Sequence, residues 1–305
     1  MRCYRCLKNI TPEDIRYGLH TRCFNMWFYT SDRDDFQDIV SHSMGSREPE
    51  IGENKFSEIA SSFFQGKFKK YSAKLGEKSY ILKIQEEDYP ELPQTEYLCN
   101  QIAEMLAIEI PPYYLISFDN KVPTFLSENF MHKKEASNLL HIYHFLDDVG
   151  QYNCESLYKI ILQKTQKMSD AKCFIECTLF DALIGNHDRH GRNLALIQSH
   201  MGYALSPLYD NPSNLGIEIE ALLGAQLEPR GKIATYQTDE PSITDYIVEW
   251  QRLGQEEHVM HFYKKINIQK ILKKIENGFI QEKRKNALIR LVSKRYTEYK
   301  NAIVG

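Results

Sequence analysis

The stretch Leu183-Ile184-Gly185-Asn186-His187-Asp188-Arg189-His190-Gly191-Arg192-Asn193 decides the fold. A helix-periodic apolar segment runs into it, because Phe174, Cys177, Phe180 and Ile184 fall on one stripe of residues 173–184. Gly185-Asn186 is a natural C-cap pair, since both residues tolerate the left-handed conformation that ends a helix. Polar residues follow until Leu194-Ala195-Leu196-Ile197 resumes as a strand. The loop therefore holds Asp188, His190 and Asn193 between two regular elements.

Working outward, Leu205-Ser206-Pro207-Leu208-Tyr209-Asp210-Asn211 adds a second aspartate after the strand pair 194–197 and 203–205. Asn211 is expected to take the left-handed conformation in that turn, a role that usually falls to glycine. Upstream, Ser79-Tyr80-Ile81-Leu82-Lys83-Ile84-Gln85 alternates as a strand, with Tyr80, Leu82 and Ile84 on one face and Lys83 beside Ile81 on the other. A lysine between apolar neighbours in mid-strand is costly unless paired. Glu96 opens the helical segment 94–106, whose stripe is Leu98, Ile102, Met105 and Leu106. A plainer account makes Glu96 an acid favoured by the helix dipole and Lys83 an edge-strand gatekeeper.

Asp188-x4-Asn193 has the spacing of the protein-kinase catalytic loop. The longer string Gly185-Asn186-x-Asp188-x-His190-x-x-Asn193 resembles the signature of the HipA family of bacterial Ser/Thr kinases. Glu96-Tyr97-Leu98-Cys99 and Tyr209-Asp210 are similar to that family's text at its helix and at its second acidic motif. The resemblance runs over residues 56–299 and implies an α+β, two-lobed protein-kinase-like fold with a small β-rich N-lobe and a larger helical C-lobe. It implies a Mg-ATP-dependent protein serine/threonine kinase, with Asp188 as base and Asn193 and Asp210 as magnesium ligands. Lys83 would anchor the nucleotide phosphates, Glu96 would orient it, and His190 would lie at the nucleotide.

The family's phosphate-covering loop has its counterpart at Ala60-Ser61-Ser62-Phe63-Phe64-Gln65-Gly66-Lys67-Phe68. Ser62, Gln65 and Lys67 would bind the nucleotide, and Ser61 or Ser62 would be autophosphorylated, repelling the nucleotide or drawing the loop out. Phe63 stands where the family carries glycine, which reduces close backbone approach to phosphate. The chain resembles the short, core-kinase HipT type of toxin. The resemblance implies a protein substrate such as a translation factor or aminoacyl-tRNA synthetase. It also implies small antitoxin proteins as partners, one of them replacing an N-terminal subdomain absent here. Two alternatives keep the same residues: a small-molecule or lipid kinase, and a nucleotide-binding pseudokinase.

The first residues carry a separate signal. Cys3-x2-Cys6 and His20-x2-Cys23 have the spacing of two paired ligand knuckles of a structural zinc site. Three reduced cysteines and a surface histidine are the plainer account. Ordering about 20 residues costs roughly 20–40 kcal/mol of backbone entropy, whereas structural zinc supplies an apparent ~10–16 kcal/mol. Zinc alone would not hold the segment, so Phe24, Met26, Trp27 and Phe28 are expected to pack it onto the main domain.

Composition sets the outer limits. With 38 basic and 41 acidic residues, net −3, no overall field binds nucleic acid or an anionic membrane, and direct nucleic-acid binding is not expected. No apolar run approaches a membrane span, and no secretory h-region follows Met1, which points to a cytoplasmic protein in a reducing compartment. The expected organisation is a Cys/His module at 1–30, a connection at 31–54, an N-lobe at 55–133 and a C-lobe at 134–305. Helical periodicity is expected from about Leu139 onward. The Lys- and Arg-rich segment 264–300 reads as the solvated face of amphipathic helices, with a docking surface as the sharper alternative.

Overall fold

The computed structural model describes residues 1–42, 70–89, 91–118, 121–132, 137–147, 150, 152–223 and 227–304. The chain divides into two compact units, Met1–Tyr97 with Pro111–Glu135, and Leu98–Ile110 with Ala136–Gly305. The class is α+β, with the strands concentrated in the first unit and the helices in the second.

The first unit opens with a small hairpin, β1 (Ile15–Arg16) and β2 (Leu19–His20). Its turn residues Tyr17 and Gly18 have φ of 52° and 75°, as a two-residue hairpin loop requires. A Cβ at Gly18 would also sit 2.7 Å from the Tyr4 ring, so backbone and packing both demand glycine. Helix α1 (Thr21–Phe28) follows, burying Cys23, Phe24 and Phe28. The main sheet is antiparallel in the order β3 (Gln37–His42), β4 (Lys70–Leu75), β5 (Lys78–Ile84), β7 (Val122–Glu128), β6 (Tyr113–Phe118).

Strand β3 corrects one expectation: part of the stretch assigned to a connection is the edge strand of this sheet. It lacks strand alternation because it is bulged between Gln37 and Val40, and Ile39 and Val40 are half exposed. Tyr80 and Tyr114 on one sheet face meet Phe28 at ring separations of 5.8 Å and 4.6 Å, and Phe36 packs on Tyr80 and Phe118. Trp27 packs on Tyr97 and Tyr114. Phe24, Trp27 and Phe28 thus do the packing foreseen for them, whereas Met26 is 48% exposed. It falls on the outward face of α1, beside the Arg5 guanidinium.

Helix α2 (Leu92–Met105) belongs to the first unit up to Tyr97 and to the second from Leu98. The second unit holds a three-stranded sheet, β10 (Gly202–Leu205), β9 (Ala195–Ser199) and β8 (Asn138–His141). The strand at 138–141 departs from the helical period expected there; its residues are ordered by pairing with β9, which lies more than 50 positions away. The longer helices of this unit are α3 (Cys154–Thr165), α4 (Met168–Ile184), α5 (Ile243–Arg252), α6 (Glu256–Lys265), α7 (Ile268–Glu276) and α8 (Glu282–Val304).

Helix α4 is the core element. From Phe174 to Ile184 every residue is buried, so no polar face survives and the stripe seen in sequence is only part of a fully enclosed helix. Trp250 of α5 donates its indole N–H to Thr178 Oγ1 at 2.9 Å. The basic segment at the end is only partly solvated. Arg295 is 1% exposed and donates to the carbonyls of Ala182 and Pro229, and buried Arg284 donates to that of Glu218. These guanidinium groups satisfy orphan carbonyls in the core and are neither solvated nor free for docking. No helix among the described residues is long and apolar enough to cross a membrane.

Candidate functional site

The loop after α4 is held by bonds that sequence spacing alone does not reveal. Gly185 caps the helix with φ of 73°, and a Cβ there would meet Leu291 at 2.6 Å. Asn186 is buried and does more than cap: its Nδ2 donates to Asp181 Oδ1 at 2.9 Å and to the Asp210 carbonyl at 3.4 Å. Its Oδ1 accepts the Asp188 N–H at 3.0 Å. Asn193 Nδ2 donates to the Asp188 carbonyl at 2.7 Å, closing the loop across the interval that the motif spans.

Arg189 is the centre of the arrangement. Its side chain is buried, and its guanidinium donates to both Asp181 carboxylate oxygens, at 2.7 Å and 3.0 Å. It also donates to the carbonyls of Asn193 at 2.8 Å and Tyr209 at 2.6 Å and to Asn211 Oδ1 at 2.7 Å. One planar fork thereby joins α4, the Asp188 loop and the Asp210 turn, geometry that lysine could not supply. Burial opposes the charge, but the adjacent Asp181 carboxylate outweighs it and holds Arg189 protonated well above its ordinary range. Tyr152 Oη donates to the Arg189 carbonyl at 2.7 Å.

Asn211 is fully buried and donates to Asn100 Oδ1 of α2 at 2.8 Å. The left-handed residue of this turn is Asp210, with φ of 55°, which corrects the expectation for Asn211. Asn211 is committed by its side chain to Arg189 and Asn100, so the turn takes its strained conformation one residue earlier, at an aspartate, which tolerates it better than most residues.

Two carboxylates act on one imidazole. Burial lowers the His190 pKa from its ordinary value, and the charges of Asp188 and Asp210 partly restore it. His190 Nε2 lies 3.8 Å from Asp188 Oδ1, and its Nδ1 accepts the Arg192 N–H. The Asp188 side chain is 40% exposed, as is that of His190, whereas Asn186, Arg189 and Asn193 of the same loop are buried. An accessible carboxylate on an over-determined loop is suited to accept a proton without the frame moving. Asn193 and Asp210 offer the hard oxygen donors that magnesium takes.

In the first unit, Lys83 Nζ contacts both carboxylate oxygens of Glu96, at 2.7 Å and 2.5 Å, with both side chains under 5% exposed. The mid-strand lysine therefore has the partner its position demanded, and the gatekeeper account does not apply to a residue on a central strand. The Lys83 ammonium also lies 5.9 Å from the Phe125 ring centre. Cys3, Cys6, His20 and Cys23 come together, with one ligand atom from each within 4.8 Å of all the others. Ser61, Ser62, Gln65 and Lys67 lie outside the described residues.

Sequence did not single out Arg189 and Asp181, and it gave Asn186 and Asn211 only a cap and a turn role, without the bonds they make here. Asp181 did carry a signal: a carboxylate between Phe180 and Ala182 in an apolar helix requires a buried cationic partner, and Arg189 is a basic residue two turns on.

Comparison with known proteins gives the family and the fold. A family model described as "HipA-like C-terminal domain" matches residues 58–282. A Haemophilus influenzae protein named "Putative kinase" is 27% identical over 151 residues, 43% of this chain and 44% of that protein. "Putative kinase Y4dM" of Sinorhizobium fredii is 26% identical over 183 residues, 53% of this chain and 44% of that protein. The match thus spans under half the length of either curated relative. Among solved structures, the Helicobacter pylori proinflammatory kinase CtkA superposes with a TM-score of 0.62 at 16% identity, covering 77% of this chain and 94% of that one. HipA from the Shewanella oneidensis MR-1 complex of HipA, HipB and operator DNA gives a TM-score of 0.51 at 14% identity, covering 73% and 58%.

Proposed function

We propose that this chain, which belongs to the HipA-like C-terminal domain family, is a Mg-ATP-dependent protein serine/threonine kinase. The observation that carries this reading is the contrast within one loop: Asp188 is accessible, while Asn186, Arg189 and Asn193 around it are buried and bonded to the frame. Asp188 accepts the proton of the attacking hydroxyl. Asn193 and Asp210 hold magnesium through their side-chain oxygens, and the ion, when bound, offsets the charge of the triphosphate. Lys83, oriented by Glu96, takes the nucleotide phosphates. By the family resemblance, Gln65 and Lys67 would contact the nucleotide, and Ser61 or Ser62 is the candidate autophosphorylation acceptor.

The likeness to HipA supports placing the chain as the toxin of a HipA-type toxin–antitoxin module, with small antitoxin proteins as partners. A translation factor or aminoacyl-tRNA synthetase is the substrate class that the family resemblance favours. The test is labelled ATP with magnesium, given to the full chain alone and with cell lysate, for wild type and Asp188→Ala. Label on a protein serine or threonine that falls about 10²–10⁴-fold in the variant supports the reading. Equal labelling by both sinks the mechanism, label on lipid or metabolite indicates the small-molecule alternative, and nucleotide binding without transfer indicates a pseudokinase.

A further inference from the structure

The four ligand atoms of the N-terminal module have the geometry of a closed metal site. Cys6 Sγ lies 3.4 Å and Cys23 Sγ 3.8 Å from His20 Nδ1. A tetrahedral ion with bonds of about 2.0–2.3 Å to nitrogen and sulfur has edges of roughly 3.5–3.8 Å. Hydrogen bonding alone accounts poorly for the arrangement. A neutral imidazole nitrogen has one lone pair, yet Cys6 and Cys23 both aim at Nδ1 and the Cys3 thiol stands in the same cluster.

The surroundings are built to the same end. His20 Nε2 lies 3.0 Å from the Asn9 carbonyl, which fixes the proton on Nε2 and leaves the Nδ1 lone pair facing the sulfurs. Between the first two cysteines and Lys8 the backbone folds into a tight knuckle. Leu7 N–H donates to the Cys3 carbonyl and Cys3 N–H to the Lys8 carbonyl, each at 2.9 Å. Leu7 takes φ of 64° in this turn while 43% exposed, so its own burial does not offset the strain. Helix α1 has 8 residues, too few to be stable by itself, and its first turn carries Cys23.

We infer that Cys3, Cys6, Cys23 and His20 Nδ1 bind one zinc ion as a closed, structural site that locks the N-terminal module onto the sheet of the first unit. Three sulfurs and one imidazole select zinc over the hard cations that oxygen ligands would take, and four protein ligands leave no position for substrate. The site's place in the fold gives its role. The Ser117 N–H of edge strand β6 donates to the Tyr17 carbonyl at 2.9 Å. Phe24 and Phe28, on the helix that carries Cys23, complete the aromatic layer over Tyr80 and Tyr114. Strand β5 carries Tyr80 toward this layer and Lys83 on its opposite face. Zinc therefore stabilises the sheet that positions Lys83 without taking part in the chemistry, and the inference stands whether or not the chain transfers phosphate.

The experiment is elemental analysis of the full chain purified without chelator, for wild type, Cys6→Ser and Cys173→Ser. One zinc per chain is expected in wild type and in Cys173→Ser, with a loss of more than half in Cys6→Ser. Exchange of wild type into cobalt supplies a second measurement should Cys6→Ser fail to fold. Intense visible absorption of tetrahedral cobalt with thiolate charge transfer is expected, and a chelator should lower the melting temperature of the zinc form. Absence of stoichiometric zinc in wild type, full retention by Cys6→Ser, iron in its place, or a weak octahedral cobalt spectrum would each overturn the assignment.

Discussion

Arg189 and Asp181 form a two-pronged ion pair, with Nε at 2.7 Å from Oδ2 and Nη2 at 3.0 Å from Oδ1, both side chains no more than 5% exposed. The pair connects the core helix α4 to the loop that carries Asp188, and the same guanidinium reaches the turn that carries Asp210. Within the second unit, the loop that carries Asp188 and the turn that carries Asp210 are thus held together by one buried side chain.

Breaking that pair from one side leaves a buried charge without its partner. Asp181→Asn is expected to cost about 3–5 kcal/mol of stability, measured by urea unfolding. Arg189→Lys should recover little of the loss caused by Arg189→Met, because an ammonium cannot reproduce the five bonds of the fork. Recovery of wild-type stability by Arg189→Lys would show that charge alone, and not planar geometry, holds the loop.

The Lys83–Glu96 pair separates stability from function. Glu96→Gln should destabilise the chain by about 3–5 kcal/mol by stranding a buried ammonium, while Lys83→Met with Glu96→Leu should return close to wild type. The double variant should still fail to bind ATP in equilibrium titration. Retained ATP affinity there would remove Lys83 from the nucleotide site.

Asp210 sits in the left-handed region, so its two simplest replacements should differ in stability and agree in function. Asp210→Gly is expected to be more stable than Asp210→Ala by about 1 kcal/mol, since only glycine adopts that conformation freely. Phosphate transfer should be lost in both, as the carboxylate is gone from both. Calorimetric melting of the two variants beside the labelling assay checks each half.

On the surface of the second unit, Glu155 bonds Arg252 at 2.6 Å and Lys159 at 2.6 Å. Those hydrogen bonds, Arg252 first, pull its pKa from the usual 4.5 down to about 2. A carboxylate depressed in the folded state contributes stability that is present above the unfolded value and lost as pH falls toward the folded one. The slope of stability against pH between about 4.5 and 2 should therefore be shallower in Glu155→Gln than in wild type. The difference should shrink at high salt because the groups are partly exposed.

Much of the frame could be read in the sequence. Four strands of the main sheet are short β-branched or aromatic segments between turn residues, and the helices at 92–105 and 168–184 carry helical stripes of apolar residues. The edge strand β3 and strand β8 could not be read this way, because each is ordered by a neighbour distant in sequence and not by a pattern of its own. In the site, the motif residues Asp188, Asn193 and Asp210 were visible from spacing, and so was the Lys83 requirement for a partner. Arg189 lay inside the same motif unremarked, since a charged residue in a polar loop looks solvated until its burial is known.

The sequence by itself determined the family, the residue types at the site and the pairing of two cysteine knuckles, because each depends on chemistry at short, countable spacings. Tertiary structure alone decided which groups share a guanidinium, which residue of the Asp210 turn carries the strain and which lysines and arginines are buried. Those outcomes depend on contacts such as Asn211 to Asn100, 111 positions apart, and on the removal of water from around them. Hydrogen-bond demand in a dry interior is set by packing, and local spacing does not encode it.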